Sequence, residues 1–325
     1  MNALEWDRHR RFRYPSSMAP TRGFDAELAQ LESLRASDPA STLDPIRKAL
    51  AHRNNFIAAK AAKLAASHNH RALIPELLAA FDRFLPDGAK SDPQCWAKNA
   101  VIETLSHFEY QEPEIFLTGM KTLQLEGSWG GPSDTAGTLR GLSAMALVQC
   151  RGLSNTQVLT HLTPLFADKQ LPVRVNAARA VEQIGTDASG LLLRLRAELA
   201  SDEPELLGAC YSGVLRLEGP SAIPWAAKFL TNPNPRDPPD AASAEAAFAI
   251  AETRTEAAAT LLIATHKKAR DPDFRGTLLA ALALTRQETA INYLFEEIAD
   301  GNKTAREALE NSAPTNEILD RLRTL

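Results

Sequence analysis

One stretch of sequence used twice constrains this chain more than any other feature. The segment FAIAETRTEAAATLL, from Phe248, recurs 32 residues later as AALALTRQETAINYL, from Ala280. Ala249 matches Ala281, Thr253 matches Thr285 and Arg254 matches Arg286. Beyond them Glu256 matches Glu288, Ala258 matches Ala290 and Leu262 matches Leu294, with Ile250 opposite Leu282. The shared pattern reads as a helix end, a tight turn and the next helix. A two-helix unit of about 33 residues is too small to bury its own apolar stripe. Stacked units cover one another, so the repeat predicts a layered array in which each unit is held by its neighbours.

A second recurrence lies mid-chain. LRGLSAMAL, from Leu139, aligns with VRVNAARAV, from Val173, at an offset of 34 residues. Arg140 falls on Arg174, Ala144 on Ala178 and Ala146 on Ala180, and three units further on Arg275 takes the same place. KNAVIETL, from Lys98, and FIAAKAAKLA, from Phe56, repeat the spacing of small residues. Composition agrees with helices throughout. The chain is rich in Ala and Leu, which lose little side-chain freedom in a helix, while aromatics are only 6%. Asp-Pro pairs at Asp38-Pro39, Asp44-Pro45, Asp92-Pro93 and Asp271-Pro272 predict helix starts, with Asp as cap and Pro at the first helical position. About 18 helices are expected on these signals.

The stretch Leu171–Gly185, LPVRVNAARAVEQIG, resembles a HEAT repeat of the short bacterial kind also found in phycobilisome lyases. Pro172, Val173, Arg174, Ala177, Ala178, Ala180, Val181, Ile184 and Gly185 carry the likeness. The resemblance implies an all-α fold: a right-handed α-α superhelix, HEAT/armadillo-like, of about eight helix pairs. It is expected to run as one continuous solenoid over residues 24–325, after a basic N-terminal arm over residues 1–23. Three connections are longer than the rest, at residues 86–93, 126–134 and 232–240.

Charge and cysteine usage narrow the function. A net charge of −4 argues against a chain dominated by nucleic-acid binding. Cys95, Cys150 and Cys210 are far apart in apolar contexts, which reads as buried thiols in a reducing, cytoplasmic setting. The longest nearly apolar run, Ala257 to Ala264, is too short to cross a bilayer. No phosphate-binding, nucleophile-elbow or zinc-protease motif occurs. No cofactor and no metal are expected. His68 and His70 lack a third ligand at useful spacing and read as a solvated turn.

Four residues stand out as candidates for binding a partner: Trp129, Asp134, Arg140 and Arg174. Trp129 lies in a Gly-Gly-Pro loop, where helix packing needs no large aromatic, so it reads as an exposed anchor. Asp134 follows at the next helix start, where a cap is expected. Arg140, Arg174 and Arg275 are either a ladder tying neighbouring units together or a row that binds anions. Arg8, Arg10, Arg11 and Arg13, interleaved with Phe12 and Tyr14, could grip phosphates and stack on bases.

The function expected is a non-enzymatic scaffold that binds a protein partner through its concave face and inter-repeat loops. Two alternatives stay open through the family likeness. One is a nucleic-acid binder related to alkylpurine DNA glycosylases, which use a Trp, an Asp and an Arg, echoed loosely by Trp129, Asp134 and Arg174. The other is a cofactor-handling protein similar to bilin lyases. The di-iron HEAT-like hydroxylases use His-Glu pairs, and this chain has none.

Overall fold

A computed structural model of the chain describes residues 22–199, 202–231, 239–312 and 314–324. Among the described residues the fold is all-helical apart from one two-stranded hairpin. Packing divides it into two compact units, Met1–Phe108 and Glu109–Leu325.

The first unit contains α1 (Arg22–Leu34), α2 (Pro39–Leu50), α3 (Asn55–Ser67), α4 (Ile74–Phe84), the single turn α5 (Gly88–Ser91) and α6 (Trp96–His107). Asp38 caps α2 and accepts from the Ala40 N–H, as the first Asp-Pro pair predicts. The second pair behaves differently. Pro45 lies inside α2. The carbonyl it leaves unpaired belongs to exposed Ser41, where water can serve it. Residues 86–93, read as a loop, contain α5. Helix α3 packs on α2 and α6, and its buried Ala58, Ala61, Ala62 and Ala65 let those helices come close. Thr104 of α6 donates to the Ala62 carbonyl at 2.9 Å, bridging the same contact.

The Asp92-Pro93 pair builds something other than a simple cap. Asp92 and Lys98 are both fully buried, with Lys98 Nζ 2.9 Å from Asp92 Oδ2 and 3.0 Å from the Phe84 carbonyl. Asp92 also accepts from the Ala97 and Lys98 N–H groups and from Asn55 Nδ2. This anchorage holds Gln94 and Cys95 in consecutive left-handed conformations, φ 61° and 54°. Such residues cost about 1–3 kcal/mol each and persist only when their surroundings impose them.

The second unit opens with α7 (Glu114–Lys121) and the hairpin β1 (Leu125–Ser128) and β2 (Gly131–Asp134). It continues with α8 (Gly137–Leu147), α9 (Asn155–Leu162), α10 (Leu171–Ile184), α11 (Asp187–Leu199), α12 (Pro204–Glu218) and α13 (Ile223–Ala227). The remaining helices are α14 (Ala241–Glu252), α15 (Glu256–Lys268), α16 (Pro272–Thr285), α17 (Glu288–Ala299), α18 (Lys303–Asn311) and α19 (Asn316–Arg323). Even-numbered helices pack in succession: α8 on α10, α10 on α12, α12 on α14, α14 on α16 and α16 on α18. Odd-numbered helices fill in beside them, α11 against α10 and α12, α15 and α17 against α16. Among the described residues, every extensive helix contact joins elements no more than three helices apart.

The first recurrence is visible as matching turns. Arg254 and Arg286 both have positive φ, 50° and 55°. Thr253 and Thr285 each return a hydroxyl to the carbonyl three residues back, at 2.7 Å. Gln287 Nε2 then donates to the Arg254 carbonyl at 2.7 Å, tying one turn to the next. Gly208 shows how tightly the even helices meet. A Cβ there would lie 3.0 Å from Glu245 Cδ and 3.1 Å from Glu245 Cβ on α14. At Gly276 a Cβ would meet only Thr304 Cγ2, at 3.5 Å.

Two substitutions should therefore diverge. Gly208→Val overpacks the α12–α14 contact and should lower stability by about 1–3 kcal/mol in urea unfolding. Gly276→Ala has room and a better helix former, and should raise it by up to about 1 kcal/mol. In the first unit, Lys98→Met strands a buried carboxylate and should cost about 3 kcal/mol, part of which Asp92→Asn in the same chain restores.

Candidate functional site

Residues 126–134, read as a loop, fold mainly as strands. Leu125 pairs with Asp134, Glu126 with Ser133, Gly127 with Pro132 and Ser128 with Gly131, leaving Trp129 and Gly130 as the turn. Gly131 takes φ +109°, a conformation open to glycine. The period-two alternation Leu123-Gln124-Leu125-Glu126 was the available signal. Leu123 and Leu125 are the binding candidates that sequence reading missed. They are 73% and 65% exposed, and Trp129 is fully exposed at the tip. The alternate residues turn inward: Gln124 is buried, and Glu126 accepts from Gln124 Nε2 at 2.7 Å and Thr135 Oγ1 at 2.6 Å.

The base of this hairpin is clamped. Asp134 is the last residue of β2 rather than the formal cap of α8, though it accepts from the Ala136 N–H at 3.0 Å. It also accepts from the Gln124 N–H at 3.1 Å and from Gln170 Nε2 at 3.1 Å, and pairs with Arg140 at 2.8 Å. Burial opposes its charge, but the two N–H groups and the guanidinium outweigh that and hold its pKa below the ordinary carboxylate value. Arg140 is buried and turns a two-pronged face to Asp168, at 2.7 and 3.0 Å, while donating to the Thr122 carbonyl at 3.0 Å.

Arg174 is placed in the same manner one layer on. It is buried, donates to the Asp168 carbonyl at 2.7 Å and pairs with Glu203 and, at 3.2 Å, with Asp202. Arg196 pairs with the other oxygen of Asp202. Arg275 donates to the His266 and Ala269 carbonyls at 2.8 and 3.3 Å. The three equivalent arginines thus engage helix-end carbonyls, and two of them acids, of the chain itself. The open depression over Arg174 is lined by Asp168, Asp202 and Glu203 together with Arg196, which leaves little positive field for an anion. Of the four singled-out residues, Asp134, Arg140 and Arg174 belong to one connected network, and Trp129 stands away from it at the hairpin tip.

A second polar cluster lies between α15 and α17. His266 is fully buried; its Nδ1 is 2.7 Å from the Tyr293 hydroxyl, which donates to Glu297 Oε1 at 2.9 Å. Asn302 Nδ2 holds the other oxygen at 2.8 Å. With the tyrosine proton on Glu297, His266 must carry its proton on Nδ1, and its Nε2 is a bare lone pair with no partner among the described residues. Burial, then the neighbouring Arg275, lower the His266 pKa, against a weaker opposing pull from Glu297.

The other expected sites are quickly placed. Arg8, Arg10, Arg11 and Arg13 lie outside the described residues, as do residues 232–238 of the third long connection. His68 and His70 are not simply solvated. They stack at 5.7 Å, His68 on the Leu34 carbonyl and His70 on the Thr42 hydroxyl. The three cysteines are buried. Among the described residues no group of three metal-ligating side chains converges, and no helix is long and apolar enough to span a membrane.

Removing the clamp should free the hairpin. Arg140→Met leaves two carboxylates uncompensated, so stability should fall by about 3–5 kcal/mol, and amide exchange should rise first over residues 124–135. The His266 cluster sets a pH dependence. Unfolded chains take up a proton below about pH 6.5 that the folded imidazole resists, so its stabilisation is complete above that value and lost as pH falls. Melting temperature should drop as pH falls below about 6.5, and His266→Asn, which keeps a donor near Nδ1, should flatten that slope. Compared with known proteins, the chain matches no family model and no curated sequence.

Proposed function

We propose that this protein is a non-enzymatic scaffold that captures a protein partner through the hairpin at the start of its second unit. In this reading α7–α19 wind as a right-handed, HEAT-like superhelix. The succession of even-numbered helices, each packed on the next, supports that winding. The resemblance of Leu171–Gly185 to a HEAT repeat supports it too: α10 spans Leu171–Ile184, buries Val173, Ala177, Ala178, Ala180 and Val181, and ends on Gly185 at φ 73°.

The observation that carries the binding reading is the pairing of a fully exposed Trp129 with a rigid base. An aromatic anchor costs little entropy to bind when its support is already ordered. Flanking Leu123 and Leu125 extend the apolar surface beyond what a lone exposed residue supplies. The nucleic-acid alternative draws less support. Arg140 and Arg174 are committed to Asp168, Asp202 and Glu203, and the glycosylase-like trio is divided between an exposed tip and an internal ion-pair network.

The test is affinity capture from native lysate with full-length wild type and Trp129→Ala. Trp129→Ala should weaken capture by about 2 kcal/mol, more than tenfold, with an unchanged helical circular dichroism signal. Equal capture by both chains refutes the hairpin as the binding element. Salt-sensitive retention on duplex DNA, undiminished in Trp129→Ala, would favour the alternative.

A further inference from the structure

The hairpin presents a directional edge as well as an apolar face. The Thr135 N–H donates to the Gln124 carbonyl at 2.9 Å, which makes 124 and 135 a hydrogen-bonded pair. In an antiparallel ladder such pairs alternate, so 126 with 133 and 128 with 131 are bonded likewise. Leu125 with Asp134 and Gly127 with Pro132 are then the pairs whose backbone groups point away from the partner strand. Pro132 agrees with this assignment, since a residue with no N–H fits only where none is needed.

The two edges differ. Along β2, Pro132 has no donor and the Asp134 carbonyl accepts from Gln170 Nε2 at 2.7 Å. Along β1, the N–H and C=O groups of Leu125 and Gly127 have no partner among the described residues, and both residues are exposed. The β2 edge is partly blocked and the β1 edge is open, and an open edge is a template for another extended chain. Two strands alone also leave Leu123, Leu125 and Trp129 exposed along β1 and its turn. Four residues before β1, at the end of α7, stands Lys121, exposed and without an ion pair among the described residues.

We propose that the partner adds an extended segment to β1 as an antiparallel third strand. Backbone groups of that segment bond Leu125 and Gly127. Its alternate side chains are apolar and pack beside Leu123, Leu125 and Trp129. An acidic residue toward its C-terminal end meets Lys121, because an antiparallel strand places that end beside the start of β1. This inference rests on the hairpin as the binding element and specifies the chemistry of what it binds.

The test uses a phage-displayed library of linear peptides panned against the full-length protein. Enriched peptides should alternate apolar residues and carry Asp or Glu toward the C-terminal end. Their affinity should fall at least about tenfold with Gly127→Pro, which removes one outward N–H, and with Trp129→Ala. Lys121→Glu should reverse the acidic preference. N-methylation of the peptide gives a check that leaves the hairpin untouched: binding should be lost at every second residue and kept at those between. On binding, the Leu125 and Gly127 amides should gain exchange protection. Uniform tolerance of N-methylation, an absence of enrichment, or a chain dimer abolished by Gly127→Pro would each overturn the addition of a partner's strand. Lysate capture that depends on Trp129 but not on Gly127 would also overturn it while leaving the scaffold reading intact. Failure of both capture and panning would remove both.

Discussion

The second unit depends on arginines that reach back from the first turn of a helix to the chain just before it or across to its neighbour. Arg140, Arg174 and Arg275 each donate to carbonyls that a helix end leaves without partners. Asp168 joins two of them, its carboxylate on Arg140 and its carbonyl on Arg174. Asp202 then joins Arg174 to Arg196. A guanidinium suits this task because its planar set of five donors can satisfy a carboxylate and a carbonyl at once. Buried this way, the charges contribute register more than net stability, since desolvation offsets much of their attraction.

The hairpin draws its order from the same network. A free two-stranded ribbon is marginal in water. Here Asp134 connects the end of β2 to the Gln124 N–H, to Arg140 of α8 and to Gln170 at the entry to α10. Glu126 accepts from Gln124 and Thr135, while Leu123 and Leu125 stay exposed. Rigidity therefore comes from the helices, and the exposed apolar side chains come from the strands they hold and the residues flanking them. The neighbour-by-neighbour packing of the even helices means that strain at one layer falls mainly on the layers beside it.

Much of the helical layout was legible in the chain. Asp38 and Asp271 cap helices as their Asp-Pro pairs predict, each bonding an N–H of the first turn. The Thr-Arg turns at 253 and 285 fold alike because the same short-range hydroxyl bonds close them. Other elements escaped because longer contacts overrode local signals. Asp44-Pro45 sits within a helix whose exposed side tolerates a missing bond. Asp92-Pro93 bends through two left-handed residues because Lys98 and its buried carboxylate hold them there. The hairpin was missed because a Gly-Gly-Pro stretch reads as loop until the alternation beside it is weighed.

Local order along the chain determined which segments are helical, where many begin, that units recur and that Trp129 has no place in a helix interface. These follow from hydrophobic period, capping chemistry and turn preferences acting over a few residues. Only tertiary structure decided that Arg140 and Arg174 are spent on Asp168, Asp202 and Glu203, that Asp134 anchors a strand, and that one edge of β1 stays open. Those outcomes depend on groups 28 to 36 residues apart meeting across layers, and a side chain's residue type does not say which partner will reach it first.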